Sequence, residues 1–178
     1  MAHVEAPTVG SIILAALLLK VGGYGIYRFG YCLFTDELLF LSPYLIAAVL
    51  FGYLYSTLSA VRQQDLKRYV AYTSIAHMNF GLIGLFTGEY VGVQAFALTM
   101  VSHGLIATGM FSVIGYFYAA SEYRDTIRLR GLASLNPKLT TYWVIFSLAN
   151  MGLPLFSGFP GEFLTVVATV QANSAVTP

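Results

Sequence analysis

The sequence has 178 residues, of which 57% are hydrophobic and only 10% are charged. This composition, with a mean hydropathy of +0.72, excludes an ordinary soluble domain and places the chain in a lipid bilayer. The net charge of +1 indicates neither nucleic acid nor an acidic partner. The single Cys32 permits no internal disulfide and supplies too few thiolates for an iron–sulfur cluster, which takes about four.

Apolar runs alternate with short charged islands along the chain. Each run has about the 20 residues that are needed to cross a hydrocarbon core of roughly 30 Å. We therefore predict a single all-α transmembrane domain with about five spans. The spans cover residues 8–27, 42–61, 67–86, 91–119 and 141–172. No cleavable targeting signal is expected before the first span.

Local signals predict how the first two spans begin. Pro7 precedes the first span, and Thr8 is predicted to be its N-cap. The second span is predicted to open at Pro43, because a missing N–H does no harm in a first helical turn. In the first span, Gly22 and Gly23 are expected to permit close helix packing, and so is Gly25.

The last span contains a stretch that cannot form one continuous helix. Three glycines and two prolines lie between Gly152 and Gly161. Unwound backbone at membrane depth is tolerated only where it is buried in protein or lines a wet cavity. We predict a discontinuous helix with Glu162 at the start of its second half, an arrangement that marks ion sites in transporters.

Four ionisable side chains lie deep in four different spans: Lys20, His77, His103 and Glu162. A charge at mid-bilayer costs about 3 kcal/mol on insertion scales, so such residues are usually retained for a function. Histidine exchanges protons near neutral pH because its reference pKa is about 6.5. The four residues therefore predict a proton path, in which we expect His103 to pass protons to Glu162.

Three of these residues also have a structural interpretation. Lys20 could pair with an acid on a neighbouring helix, and the two histidines could make interhelical hydrogen bonds. Asp65, Lys67 and Arg68 are predicted to lie at the membrane interface, where water or lipid headgroups would contact them.

The distribution of basic residues predicts the orientation in the membrane. Cations concentrate in the island 62–68 and in the loop 122–138, which contains Arg124, Arg128, Arg130 and Lys138. By the positive-inside rule, these two loops and the N-terminus face the cytoplasm or the mitochondrial matrix. The C-terminus then emerges on the opposite face.

Four segments carry a resemblance to a known family, in the right order and over nearly the whole chain. They are HVEAPTVGS with LLLKVGGYG (within residues 3–25), DLKRYVAYTSIAHMN (65–79), SHGL (102–105) and GLPLFSGFPGEF (152–163). The chain resembles the antiporter-like proton-pumping subunits of mitochondrial respiratory complex I, the NADH dehydrogenase. Glutamate at position 162 favours subunit 4 over subunit 5, where a lysine is usual.

The resemblance implies a role for each residue. Lys20 would be the central-axis lysine that links two half-channels, and His77 and His103 would be the histidines of the next half-channel. Glu162 would be the acid of the broken helix that leads protons outward. The implied function is proton translocation across the mitochondrial inner membrane, coupled to electron transfer in other subunits.

The resemblance also implies what lies elsewhere in the complex. NADH, FMN, iron–sulfur clusters and ubiquinone are expected in other subunits, with no redox chemistry, cofactor or metal site in this chain. Because the family's subunits have more helices, this chain would supply only the second half-channel, and a separate polypeptide would supply the N-terminal helices. Other membrane-arm subunits and membrane lipid are the expected partners.

Two other interpretations stay open. A cation/proton antiporter or a membrane-bound hydrogenase subunit would share the same helices. Alternatively, the chain could be a membrane scaffold whose charged residues only hold neighbouring helices in place.

Overall fold

The computed structural model describes residues 5–121, 126, 131 and 136–176. The regular elements of these residues are helices, which confirms the all-α class. They are α1 (Thr8–Leu33), α2 (Thr35–Val61), α3 (Leu66–Phe86), α4 (Tyr90–Ser121), α5 (Pro137–Asn150) and α6 (Gly158–Val176). Arg124, Arg128 and Arg130 of the predicted basic loop lie outside the described residues.

Helix α1 differs from its prediction at both ends. Thr8 is its first residue and not its N-cap, because the extended Pro7 occupies the cap position and no side chain caps the helix. Proline is suited to this place, since its fixed φ leads the chain into a helix. At the other end α1 continues to Leu33, and it contains two π-helical segments, Leu14–Leu18 and Ile26–Gly30.

Helix α2 begins at Thr35, earlier than predicted, and Pro43 therefore lies in its interior. The expectation that Pro43 opens the helix is wrong. Two acids in the first turn, Asp36 and Glu37, favour the earlier start because they interact well with the positive end of the helix dipole. Proline inside a membrane helix is tolerated where neighbouring groups compensate for the lost hydrogen bond.

The start of α3 is held by its own charged residues. Asp65 caps the helix, since its Oδ1 accepts hydrogen bonds from the backbone N–H groups of Lys67 at 2.7 Å and Arg68 at 3.4 Å. Lys67 is only 3% exposed, and its Nζ donates to the carbonyl of Ala6 at 2.5 Å. The predicted contact with water or headgroups is therefore wrong for Lys67, which ties α3 to the segment before α1.

Helix α4 is the centre of the bundle. It packs against α1, α3, α5 and α6, whereas α2 packs mainly against α3. The main apolar cluster joins residues of α1, α3, α4 and α5. Its buried members are Ala15, Val70, Ile106, Ala107, Met110, Phe111, Ile114 and Ala149. This packing brings side chains of separate spans to the same depth around α4.

In the part of the chain that the structure describes, three helices, α1, α2 and α4, are long and apolar enough to cross a membrane by length and composition. Together with the composition, they identify the chain as a membrane protein. Helix α5 has only 14 residues, and α3 and α6 contain polar side chains such as His77 and Glu162. The count of five spans stays a prediction.

Helices α5 and α6 are the two halves of the predicted discontinuous helix. Helical structure stops at Asn150 and resumes at Gly158, which confirms the interruption. The second half starts earlier than predicted, because Pro160 lies in its first turn, where a missing N–H costs no hydrogen bond. Glu162 is therefore in the second turn of α6, and the expectation that it opens this helix is wrong.

Candidate functional site

The bundle brings the four predicted residues together in one row. Lys20 Nζ of α1 lies 2.7 Å from His103 Nδ1 of α4. The His103 and His77 rings have centroids 5.8 Å apart and are tilted by 42°. His77 Nδ1 of α3 lies 2.9 Å from Glu162 Oε1 of α6. The order along the row is Lys20, His103, His77 and Glu162.

This order corrects one expectation from the sequence. The partner of Glu162 is His77 and not His103, which lies between His77 and Lys20. Both histidines are near the middle of their helices, so their depths are similar. The rotation of α3 and α4 about their axes decides which ring reaches α6, and a sequence read one span at a time does not contain that rotation.

His103 is the most buried member of the row. His103 is 4% exposed, and Lys20 is half-buried. Besides His103, Lys20 Nζ donates to the carbonyl of Ala15 at 2.6 Å, five residues back in α1. The Ala15 carbonyl belongs to a π-helical segment, and such segments often occur at functional sites. A carbonyl and an imidazole nitrogen thus hold the ammonium group.

The Glu162 end of the row is more open. The side chains of His77 and Glu162 are 23% and 29% exposed. Glu162 also lies against Gly152, whose φ of +68° ends α5. A Cβ at position 152 would collide with Glu162 Oε2. Glycine therefore supplies both the left-handed turn and the room for the carboxylate.

Hydrogen-bond donor and acceptor atoms follow one another in a consistent order along the row. A charged lysine can only donate, so His103 Nδ1 accepts and the proton of the neutral ring is on Nε2. An ionised carboxylate can only accept, so His77 Nδ1 donates to Glu162 and its Nε2 is free to accept. The donor atom of His103 and the acceptor atom of His77 are thus complementary, and a proton can be handed along the row.

A small cavity lies where the two histidines meet. Its volume is about 10 Å³, which is close to the space that one water molecule needs. Its polar lining consists of His77, Thr99, Ser102, His103, Asn150 and Glu162. A water there would have several polar partners, as buried waters generally do. The cavity is therefore suited to bridge the gap between the imidazole rings.

A larger cleft of about 340 Å³ adjoins His77 and Glu162. It lies between α2 and α3 and reaches Ala60 and Tyr69, near the ends of these helices. His77, Asn150 and Glu162 line both the cleft and the small cavity. These three residues lie between the buried His103 and the open cleft.

Sequence reasoning missed Asn150. It is the last residue of α5. Of the three residues that line both the cavity and the cleft, it is the one that was not predicted. The available signal was an amide side chain just before the Gly/Pro-rich stretch that interrupts an apolar run. For metals, the described residues contain no group of three or more His, Cys, Asp or Glu that could hold an ion.

Comparison with known proteins gives a consistent result. Residues 1–177 match the family described as NADH:quinone oxidoreductase/Mrp antiporter, TM. The chain is 43% identical over 175 residues to NADH-ubiquinone oxidoreductase chain 4 of Marchantia polymorpha, covering 98% of this chain and 35% of that protein. It is 38% identical over 172 residues to NADH-quinone oxidoreductase subunit M of Rickettsia prowazekii, covering 97% of this chain and 35% of the relative.

Solved structures show the same similarity. A chain of respiratory complex I from Thermus thermophilus with bound NADH superimposes with a TM-score of 0.88 at 30% identity, over 94% of this chain and 36% of that one. A chain of the membrane-bound sulfane sulfur reductase, an archaeal respiratory membrane complex, gives a TM-score of 0.87 at 28% identity, over 92% and 34%. The chain thus spans about a third of the length of the proteins it matches.

Proposed function

The chain belongs to the NADH:quinone oxidoreductase/Mrp antiporter transmembrane family, and we propose that it forms the part of a proton-pumping subunit in which protons move between Lys20 and Glu162. Family membership confirms the resemblance found in the four sequence segments. The observation that carries the proposal is the row itself, in which Lys20 contacts His103 and His77 contacts Glu162. The two hydrogen-bonded pairs join residues of four helices, and they meet where the His103 and His77 rings lie 5.8 Å apart.

The proposed transfer uses only groups of this chain and water. Lys20 gives a proton to His103 Nδ1 while His103 releases its Nε2 proton towards His77, through the small cavity. His77 takes that proton on Nε2 and gives its Nδ1 proton to Glu162. The result is a neutral lysine and a protonated glutamic acid, with both rings in their other tautomer. Before the next transfer, the rings return to their first tautomer, Lys20 is reprotonated and Glu162 loses its proton.

We assign this activity to complex I in the mitochondrial inner membrane. Relatives named as NADH-ubiquinone oxidoreductase chain 4 support the assignment. In this proposal, NADH, FMN, iron–sulfur clusters and ubiquinone are bound by other subunits, and the chain contributes to the NADH:ubiquinone reductase without redox chemistry of its own.

The remaining helices of the subunit are proposed to pack on the outer face of α1. This face exposes Leu17, Val21 and Tyr24, each by more than half of its surface. A separate chain that supplies the N-terminal helices would cover these apolar side chains and complete the surroundings of Lys20. Such a chain, together with other membrane-arm subunits, belongs to the proposed set of partners.

A second candidate function is cation/proton exchange. The family's description includes Mrp antiporters, and one similar structure is a sulfane sulfur reductase rather than complex I. The same row of residues would then exchange protons against a cation. The difference between the two functions lies in the partner subunits.

Purification of the whole assembly through a tag on this chain separates the two functions. For complex I we expect flavin and iron–sulfur subunits to co-purify, and the reconstituted assembly to acidify or alkalinise vesicles only when NADH and a quinone are supplied. Cation-driven proton movement without NADH oxidation, in an assembly that lacks redox subunits, would replace the first function with the second.

We further propose that the segment between α4 and α5 and the start of α3 face the matrix, with the C-terminus on the intermembrane-space side. The excess of Lys and Arg in these segments supports this orientation. A cysteine introduced at position 128, after replacement of the exposed Cys32 by serine, should react with an impermeant thiol reagent from the matrix side only. Reaction from the intermembrane space would reverse the assignment.

A further inference from the structure

A groove lies outside the row of ionisable residues, between the second half of α4 and helix α5. Its volume is about 800 Å³, which is within the range of about 300–1,000 Å³ typical of sites for small organic ligands. Apolar side chains such as Val113, Leu139 and Phe146 form its walls. The groove therefore offers an apolar surface for an elongated organic group.

The depth of the groove corresponds to one leaflet of a bilayer. It extends from the ends of the helices down to Gly109, twelve residues before Ser121, which is about 18 Å along α4. In α5 it reaches Phe146, nine residues after Pro137, or about 14 Å. Half of a hydrocarbon core is about 15 Å. The groove thus runs from the membrane surface to about the bilayer centre.

Gly109 and Phe146 bound the groove at its inner end. The Phe146 ring packs directly on Gly109, so closely that a Cβ at position 109 would collide with the ring. A transmembrane helix needs a packing face along the whole core of about 30 Å. An acyl chain needs only the depth of its own leaflet, which is what the groove provides.

The outer end of the groove is polar and positively charged. Lys138 lies there in the first turn of α5, next to Asn136, and is exposed. Among the described residues, no carboxylate lies within salt-bridge distance of Lys138. Tyr116 and Tyr142 are 67% and 57% exposed, about 7 Å further in, at a depth typical of interfacial tyrosines. Basic pockets between membrane helices on the cytoplasmic or matrix side bind anionic headgroups.

We propose that this groove binds one anionic phospholipid. Its acyl chain lies against Val113, Leu139 and Phe146, and its phosphate lies at Lys138. The lipid fills the space between α4 and the first half of the discontinuous helix, and so it supports the position of α5. This proposal does not depend on the proton path, because the groove shares no residue with it.

Photo-crosslinking in the intact purified assembly tests the proposal. The probes are phosphatidylglycerol and phosphatidylcholine with the same photoactivatable acyl chain, each added in trace amount to phosphatidylcholine vesicles that contain the assembly. We expect the anionic probe to label peptides 109–120 and 139–146 about fivefold more than the zwitterionic probe, the effect of one lysine at an anionic surface. Lys138→Gln should make the two probes label equally.

Two further variants make the result specific. Arg28→Gln removes an exposed cation of α1, outside the groove, and should keep the fivefold preference. Ser112→Phe places a ring inside the groove and should abolish labelling by both probes. Absence of labelling in the unmodified assembly would overturn the proposal, as would an unchanged preference in Lys138→Gln. Crosslinking of the groove to a neighbouring polypeptide would also overturn it.

Discussion

Lys20→Met is expected to leave the subunit assembled and to lower NADH-driven proton pumping to about a tenth or less. A positioned acid or base contributes about 100- to 10,000-fold to a proton transfer, and other steps of the complex limit the observed rate. Methionine fills a similar space but cannot donate to His103 or to the Ala15 carbonyl. Dye-monitored pumping in proteoliposomes and the quinone reductase rate measure the effect, and native gels measure assembly.

Lys20→Arg tests whether Lys20 transfers protons or only holds its neighbours in place. Arginine keeps the charge and the hydrogen-bond donors, but it does not release a proton in proteins. We therefore expect assembly with little pumping, whereas Arg28→Gln, in the same helix, should pump normally. Normal pumping by Lys20→Arg would mean that Lys20 only holds His103 in place.

Glu162→Gln is expected to have an effect of similar size. Glutamine has nearly the shape of glutamate, and its oxygen can still accept the hydrogen bond from His77 Nδ1. The amide cannot take up a proton, so the row loses its terminal acceptor. Pumping should fall to about a tenth or less, while the amount of assembled complex stays the same.

The matched control is Glu89→Gln, which removes a carboxylate before α4 that lines neither the cavity nor the cleft. This variant should pump as the unmodified protein does. If Glu162→Gln also pumps normally in intact complex, Glu162 is not the end of the path. If it fails to assemble, its bond to His77 has a structural role.

The sequence was sufficient to predict that the last helix is broken and to select four ionisable residues that the structure places in one row. Lys20 is recognised by its position deep in an apolar run, and the interruption is predicted from the Gly/Pro-rich stretch. Both signals lie within one short segment of the sequence. The partner of Glu162 was not predictable in this way. Its contact with His77 joins residues 85 positions apart on different helices, and it depends on helix rotation.

Two other features depend on tertiary structure in the same manner. Gly152 was predicted as a helix breaker, but its close approach to the Glu162 carboxylate results from the reversal of the chain between α5 and α6. Lys67 was expected at the interface because it belongs to a charged island. It is buried because the segment before α1 passes over the start of α3 and offers the Ala6 carbonyl.

The central claim is that Lys20 and Glu162 belong to one continuous path, and the most direct test is the pumping rate of the double variant Lys20→Met/Glu162→Gln. Residues that act as a unit have effects that do not add, whereas independent residues multiply their losses in rate. We predict that the double variant pumps no more slowly than the slower of the two single variants. A residual rate near the product of the two single-variant fractions would contradict the account, because the two residues would then act in separate steps.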